Sequence, residues 1–358
     1  MDYPPPFPNG WYVVMPAHEL PAGQSRYVRM VGQHVAVFRT EGGHVAALYA
    51  FCPHLGANLG VAAKVKGETV ACPFHGWEFN GDGKCVDIPY SSSCPPSNAH
   101  TKSFTVRELN GFILLWFDAE GRPPAWDVPA VPELGPGSKH VLHGQTTHLV
   151  SSHIANLPAN GADRSHFEAV HSEHVLWGVC PRVCWVAVGL GGDARNTPRF
   201  SHAWKPTWEL GENTPGGERH TAVMTVEQSM SWRGKRVPGS TTHTTVFQIG
   251  PGFVFFRFST ALGNLVVFET VTPIAPLLQR VHHLVFASPT VPRFVAKVVL
   301  QGMIVQYERD AMVFNNQRWT SKPVLVQEDA NLARFRTWWR QFYSASSASA
   351  VTAGTLDW

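Results

Sequence analysis

The chain contains no run of about 18 or more apolar residues, and no charged segment followed by an apolar one near its start. Neither a membrane span nor a signal peptide is therefore expected. An excess of either charge is also missing: 29 Lys and Arg against 26 Asp and Glu leave a net +3 over 358 residues. That balance provides no basic stripe, and nucleic acid is set aside as a partner. Cysteine is sparse. Six in a chain of this size (Cys52, Cys72, Cys85, Cys94, Cys180 and Cys184) are too few for a disulfide scaffold and fit a reducing compartment, with the expectation of a cytoplasmic protein. There is no internal repeat, and the one glycine-rich stretch, GLGGDAR at Gly189, lacks the full GxGxxG and a flanking βαβ pattern, so it carries little dinucleotide signal.

The chain is rich in large aromatics, with 13 Trp and 21 Phe, which suit bulky interior surfaces or a pocket for a large apolar ligand. From Trp11 to Phe117, short β-like runs (VAVF, HVAALYAF, TVACPF, FTVREL, GFILLWF) alternate with Gly, Asn and Asp turn clusters, predicting a small all-β domain over residues 1–120. A Pro/Gly-rich connector, GRPPAWDVPAVPELGPG, spans 121–137. Beyond it, runs such as TAVMTVEQSMSW, TTVFQI, FVFFRFS and LVVFETVTPI alternate with helical stretches. The second domain, 138–346, is thus predicted to be α+β with a central antiparallel sheet, and 347–358 a loose tail. Helices are expected around Asn160 to His174, from just after Pro292, and over Asn331 to Tyr343.

The first chemical signal is CPHLGANLG, which places Cys52 and His54 one residue apart in a glycine-bearing loop. After seventeen intervening residues, CPFHGW supplies Cys72 and His75 in a second such loop. Two thiolates and two imidazoles suit a [2Fe-2S] cluster in which two histidines replace two cysteines on one iron. Zinc also takes two Cys and two His, but its ligands usually come as Cys–Cys and His–His pairs, whereas here each loop gives one of each. Gly56 and Gly76 let the backbone approach closely and aim N–H groups at sulfur. The pattern resembles Rieske proteins. Ala57, Phe74 and Trp77 stand where respiratory-type members carry the extra cysteines and a serine, so the resemblance implies the oxygenase type.

An electron carrier of this kind ends near residue 120, so the remainder is expected to hold an electron acceptor. In NLPANGADRSHFEAVHSEH, Asp163, His166 and His171 give Asp-x2-His-x4-His, with Asp163 and His166 expected on one helix face. Two imidazoles and one distant carboxylate form the facial triad of a mononuclear non-haem Fe(II) site. Asp310, on the apolar helical stripe of Met303, Tyr307 and Phe314, is the candidate carboxylate, because burying one there is costly unless it is paired or bound to metal. Glu308 faces away from the stripe, Asp329 suits a helix cap, and His153 and His174 fall outside the His-x4-His register.

Over most of its length the chain resembles the Neverland-type cholesterol 7-desaturases. The resemblance is carried by PPPFPNGWYVV, CPHLGANLG, CPFHGWEFNGDGKCVDIPY, the NGAD before His166 and KPVLVQEDANLARFRTWWRQFYS. It implies cholesterol as substrate, 7-dehydrocholesterol as product, and O2 with two electrons from NAD(P)H through a separate reductase, with or without a ferredoxin. It further implies a homotrimer in which Asp163 links a Rieske histidine of one subunit to an iron-ligating histidine of the next. An N-terminal helix carboxylate favoured by the dipole is the other reading of Asp163. Two departures stand out: the chain starts directly at PPPFPNGW, where animal members carry a membrane-spanning segment, and Phe314 replaces an expected Trp. The Trp338 and Trp339 helix, with Arg334, Arg336 and Arg340, is read as core, with peripheral membrane contact as its second reading. A 3-ketosteroid 9α-hydroxylase-like monooxygenase and a pure electron carrier remain the alternatives.

Overall fold

In the computed structural model, residues 3–171, 200–213, 217–232, 235–260 and 262–347 are described. His174, Cys180, Cys184 and the Gly189 stretch lie outside them. The chain forms two compact units, one chiefly Pro4–Gly135 and the other chiefly Pro136–Val271 with Leu277–Gln341.

The first unit is built from three small antiparallel sheets. Gly10–Pro16, Phe112–Phe117 and Val106–Leu109 form one; Gln24–Met30, Gln33–Arg39, Val45–Tyr49 and Ser103–Phe104 form the second; Lys64–Lys66, Thr69–Ala71, Glu78–Phe79 and Cys85–Asp87 form the third. The second sheet meets the third through buried Phe38, Leu48, Leu59, Val70 and Phe79, and Cys52 and Cys72 belong to this same cluster. The two ligand loops are therefore anchored at their cysteine ends by hydrophobic burial.

The second unit holds an eight-stranded sheet. Its order is Val141–Val150, Leu278–Ala287, Gly263–Ala275, Phe253–Thr260, Thr242–Ile249, Thr221–Trp232 and Phe200–Leu210, with the short Lys235–Arg236 beside Thr221–Trp232. The period-2 alternation of the strands decides what faces inward: Ala222, Met224 and Val226 on one strand, and Val254, Phe256 and Phe258 on another, line a single cavity wall. A 22-residue helix, Arg293–Phe314, packs Ala296, Val299, Leu300 and Met303 against Leu265, Val267, Val285 and Ala287. Its approach depends on Gly144, at a register shift in Val141–Val150, where an added Cβ would lie 2.6 Å from Leu300 Cδ2. The helix Ala330–Trp339 buries Phe335, Trp338 and Trp339, with Phe335 against Trp208, so the aromatic stripe is core.

The expected helix around Asn160 is not continuous. Two short helices, Asn156–Ala159 and Ser165–His171, are separated by a turn at Gly161 and Ala162. Asp163 therefore does not share a helical face with His166. It precedes the second helix, where its Oδ1 accepts from the N–H groups of Ser165 (3.0 Å) and His166 (3.2 Å), satisfying donors that the helix start leaves open.

Candidate metal centres

The two cysteine–histidine loops have the same backbone. Cys52 N–H donates to Ala57 O (2.9 Å) and Cys72 N–H to Trp77 O (2.8 Å); Gly56 N–H returns to Cys52 O (2.9 Å) and Gly76 N–H to Cys72 O (3.0 Å). Both glycines sit at φ +76°, a left-handed conformation that side-chain-bearing residues rarely adopt. The histidine stands two residues after the cysteine in one loop and three after it in the other, and the His54 and His75 rings lie 4.7 Å apart. Trp77 stacks on His54 at 4.7 Å and 5°, and its indole N–H donates to Tyr90 Oη at 2.8 Å.

Both sulfurs are buried, with Cys52 at 3% and Cys72 at 4% exposure. Burial pushes the Cys52 thiol up to about 12, opposed by the backbone N–H of His54, while the neighbouring Cys72 sulfur adds to the rise and the Leu55 N–H opposes it. Two adjacent buried thiolates need a cation, and the backbone N–H groups aimed at sulfur are what a thiolate–iron bond uses. The four residues fit an iron–sulfur cluster, with cysteines toward the core and histidines toward the surface. Cys85 is buried with Sγ toward Asp87 O, and Cys94 is exposed.

In the second unit, His166, His171 and Asp310 come together, their ligand atoms all within 4.8 Å of one another. His171 Nε2 lies 3.1 Å from Asp310 Oδ1, and the two imidazoles stand 5.1 Å apart at 83°. Each ring is held from behind. His166 Nδ1 donates to Asp163 O at 2.6 Å, and His171 Nδ1 donates to Gln306 Oε1 at 2.9 Å. Both Nδ1 positions being engaged, Nε2 is the nitrogen each ring can offer a metal. Burial lowers the His166 pKa, while the Asp310 charge pulls it back up. A neutral imidazole pair and one carboxylate suit Fe(II).

Among the other sequence candidates, Glu308 is exposed, Asp329 accepts from the Val326 N–H, and the buried His153 lies near Tyr3 and Trp319. Gln306 escaped the sequence reading, although its place four residues before Asp310 puts it on the same helical face.

The triad opens on a cavity of about 560 Å³, lined by Met224, Val226, Phe256, Phe258, Leu265 and Met303. This is within the roughly 300–1,000 Å³ of small-molecule sites. A second recess of about 280 Å³ on His166 and Asp310 is more polar, with Asp163, Arg318 and Arg336 in its lining. No helix among the described residues is long and apolar enough to cross a membrane.

The family described as the Rieske [2Fe-2S] domain matches residues 10–106, and that described as the 3-ketosteroid 9alpha-hydroxylase C-terminal domain matches residues 115–343. A cholesterol 7-desaturase from Xenopus laevis is 39% identical over 100% of this chain and 76% of its own length. One from Hemicentrotus pulcherrimus is also 39% identical, over 100% and 74%. The solved structure of Pseudomonas putida CBB5 NdmA with caffeine superposes with a TM-score of 0.67 at 17% identity, covering 97% of this chain and 94% of that one, which places the fold among known ones. The paired Cys–His loops, the second unit with its two-histidine, one-carboxylate cluster, and these matches along the whole chain lead to one assignment: the chain belongs to the Rieske non-haem iron oxygenases, in the cholesterol 7-desaturase family.

Proposed function

We propose that this oxidoreductase converts cholesterol to 7-dehydrocholesterol. The sterol loses two hydrogens, and O2 takes these with two electrons and two protons to leave as two waters. The observation that carries the reading is the opening of the His166–His171–Asp310 cluster onto a largely apolar cavity. Cys52, His54, Cys72 and His75 would hold the [2Fe-2S] cluster, which would supply single electrons, and His166, His171 and Asp310 would hold an Fe(II) that would supply the O2 chemistry.

The chain's own residues do the rest. The apolar walls bind the sterol skeleton, at about 0.8 kcal/mol for each buried CH₂, and keep water from the reacting carbon. The Asp163 carbonyl and the Gln306 amide fix the two imidazoles. Electrons come from NAD(P)H through a separate reductase or ferredoxin. In a homotrimer, Asp163 links the His75 side of one subunit to His166 or His171 of the next. The domain division is 1–120, 121–137 and 138–346, and the protein works in the cytoplasm; the tail expected after 346 lies, beyond Ser347, outside the described residues.

With a reductase system, NAD(P)H and cholesterol, the product is expected to show the ultraviolet absorption of a conjugated 5,7-diene and a mass lower by two hydrogens. O2 uptake without that diene overturns desaturation. The match of residues 115–343 to a ketosteroid hydroxylase domain favours hydroxylation of a steroid as the second reading. An electron carrier alone would consume no O2.

A further inference from the structure

Beside the metal cluster, the cavity carries a polar group that the reaction as described does not use. Among the described residues, Glu269 and Asp310 are the two carboxylates in its lining. Glu269 is held from behind by His283, whose Nε2 lies 3.2 Å from its Oε2; the His283 side chain is fully buried, while that of Glu269 keeps 21% exposure. Tyr307 packs its ring 4.7 Å from His283 and also lines the cavity. It is 5% exposed, and its hydroxyl has no hydrogen-bond partner among the described residues. Tyr307 is one helical turn before Asp310, and both Glu269 and Asp310 are near enough for their charges to act on its hydroxyl.

A buried hydroxyl without a partner and a carboxylate at a mostly apolar wall are each costly, and one ligand group that both donates and accepts relieves both. An alcohol does this. A ketone or an ether cannot donate, so its oxygen faces the carboxylate with no proton between them. The sterol skeleton is rigid and carries its single hydroxyl on the ring next to the one holding C7. An anchor for that hydroxyl must therefore lie close to the metal, where this pair is.

We propose that Glu269 and Tyr307 form the specificity anchor for a substrate alcohol, the sterol hydroxyl donating to the Glu269 carboxylate and accepting from the Tyr307 hydroxyl. The inference rests on the sterol reading above and deepens it: the site selects 3-hydroxy sterols against 3-keto steroids. His283 is the positioning residue that orients Glu269.

The test measures dissociation constants of the holoenzyme for cholesterol, the corresponding 3-ketone and the 3-methyl ether, by competition with a fluorescent 3-hydroxy sterol, with diene formation from cholesterol followed in parallel. The wild type should hold cholesterol about tenfold or more tighter than either analogue. Tyr307→Phe should weaken cholesterol and ketone alike. Glu269→Gln, which keeps the side-chain shape but can donate to a ketone, should narrow the alcohol-to-ketone ratio to within about threefold. Equal affinities in the wild type, with diene still formed, sink the anchor alone. So does a turnover loss in both variants with sterol affinities unchanged, which assigns the pair to proton supply. Absence of both sterol binding and diene overturns the sterol reading and the anchor with it.

Discussion

His171 and Gln306 meet where the helix Ser165–His171 faces Arg293–Phe314: the imidazole Nδ1 donates to the amide oxygen at 2.9 Å, and Arg309 donates to that same oxygen at 3.3 Å. The arginine settles which end of the amide faces the histidine, and the amide settles which histidine nitrogen is left for a metal. One helix thus supplies both the carboxylate and the group that fixes the tautomer of its neighbour.

Replacing Gln306 by Leu should leave the His171 ring free to turn and lower the affinity for mononuclear iron about 10- to 100-fold. Chelator competition measures it, and the Rieske absorption spectrum should not change. Gln306→Glu, which still accepts from Nδ1, should recover most of the affinity; an unaltered affinity in the Leu variant would falsify the role.

Replacing His166 or Asp310 by Ala should abolish turnover and reduce iron from three atoms per chain toward the two of the cluster. Iron analysis combined with the Rieske spectrum distinguishes this from unfolding. Full activity in either variant removes that residue from the metal site.

His282 gives a pH dependence with a defined sign. Burial, helped by the Arg280 and His283 charges, lowers its pKa to about 4, and Thr147 engages its Nδ1 at 2.9 Å. The unfolded chain takes up this proton near pH 6.5 and the folded one only near 4, so the stability contributed by the neutral ring is present above pH 6.5 and lost as pH falls toward 4. Urea unfolding of His282→Gln between those limits should show a slope shallower than wild type by up to about 1.4 kcal/mol per pH unit. Identical slopes in the two proteins rule out the assignment.

Gly144→Ala places a methyl group against Leu300 and should destabilise the second unit by about 1 kcal/mol or more, read as a lower denaturant midpoint. Adding Leu300→Ala should recover part of the Gly144→Ala cost, a non-additivity expected only for residues in contact. Strict additivity places the strain elsewhere.

Much of the first unit was legible because its information is local. Each ligand loop carries its cysteine, histidine and glycine within a few residues, and Gly, Asn and Asp clusters between the short strands mark the turns. Asp310 was legible for a different reason, as a carboxylate out of place on an apolar helical stripe. The break between Asn156–Ala159 and Ser165–His171 was not, since a helical pattern through NLPANGAD does not reveal that Asp163 caps a new helix.

The sequence by itself determined which cysteine, histidine and carboxylate side chains are candidates to bind metal, the all-β and α+β succession, and the helix that carries Asp310. These depend on residue type, short spacings and periodicity, which the chain specifies locally. Only the tertiary structure decided that Gln306 backs His171, and that Glu269 from one strand and Tyr307 from a helix meet at one cavity, with His283 of the next strand against both. Such meetings depend on strand register and on how closely a helix can lie on a sheet, and both are set by packing across the core.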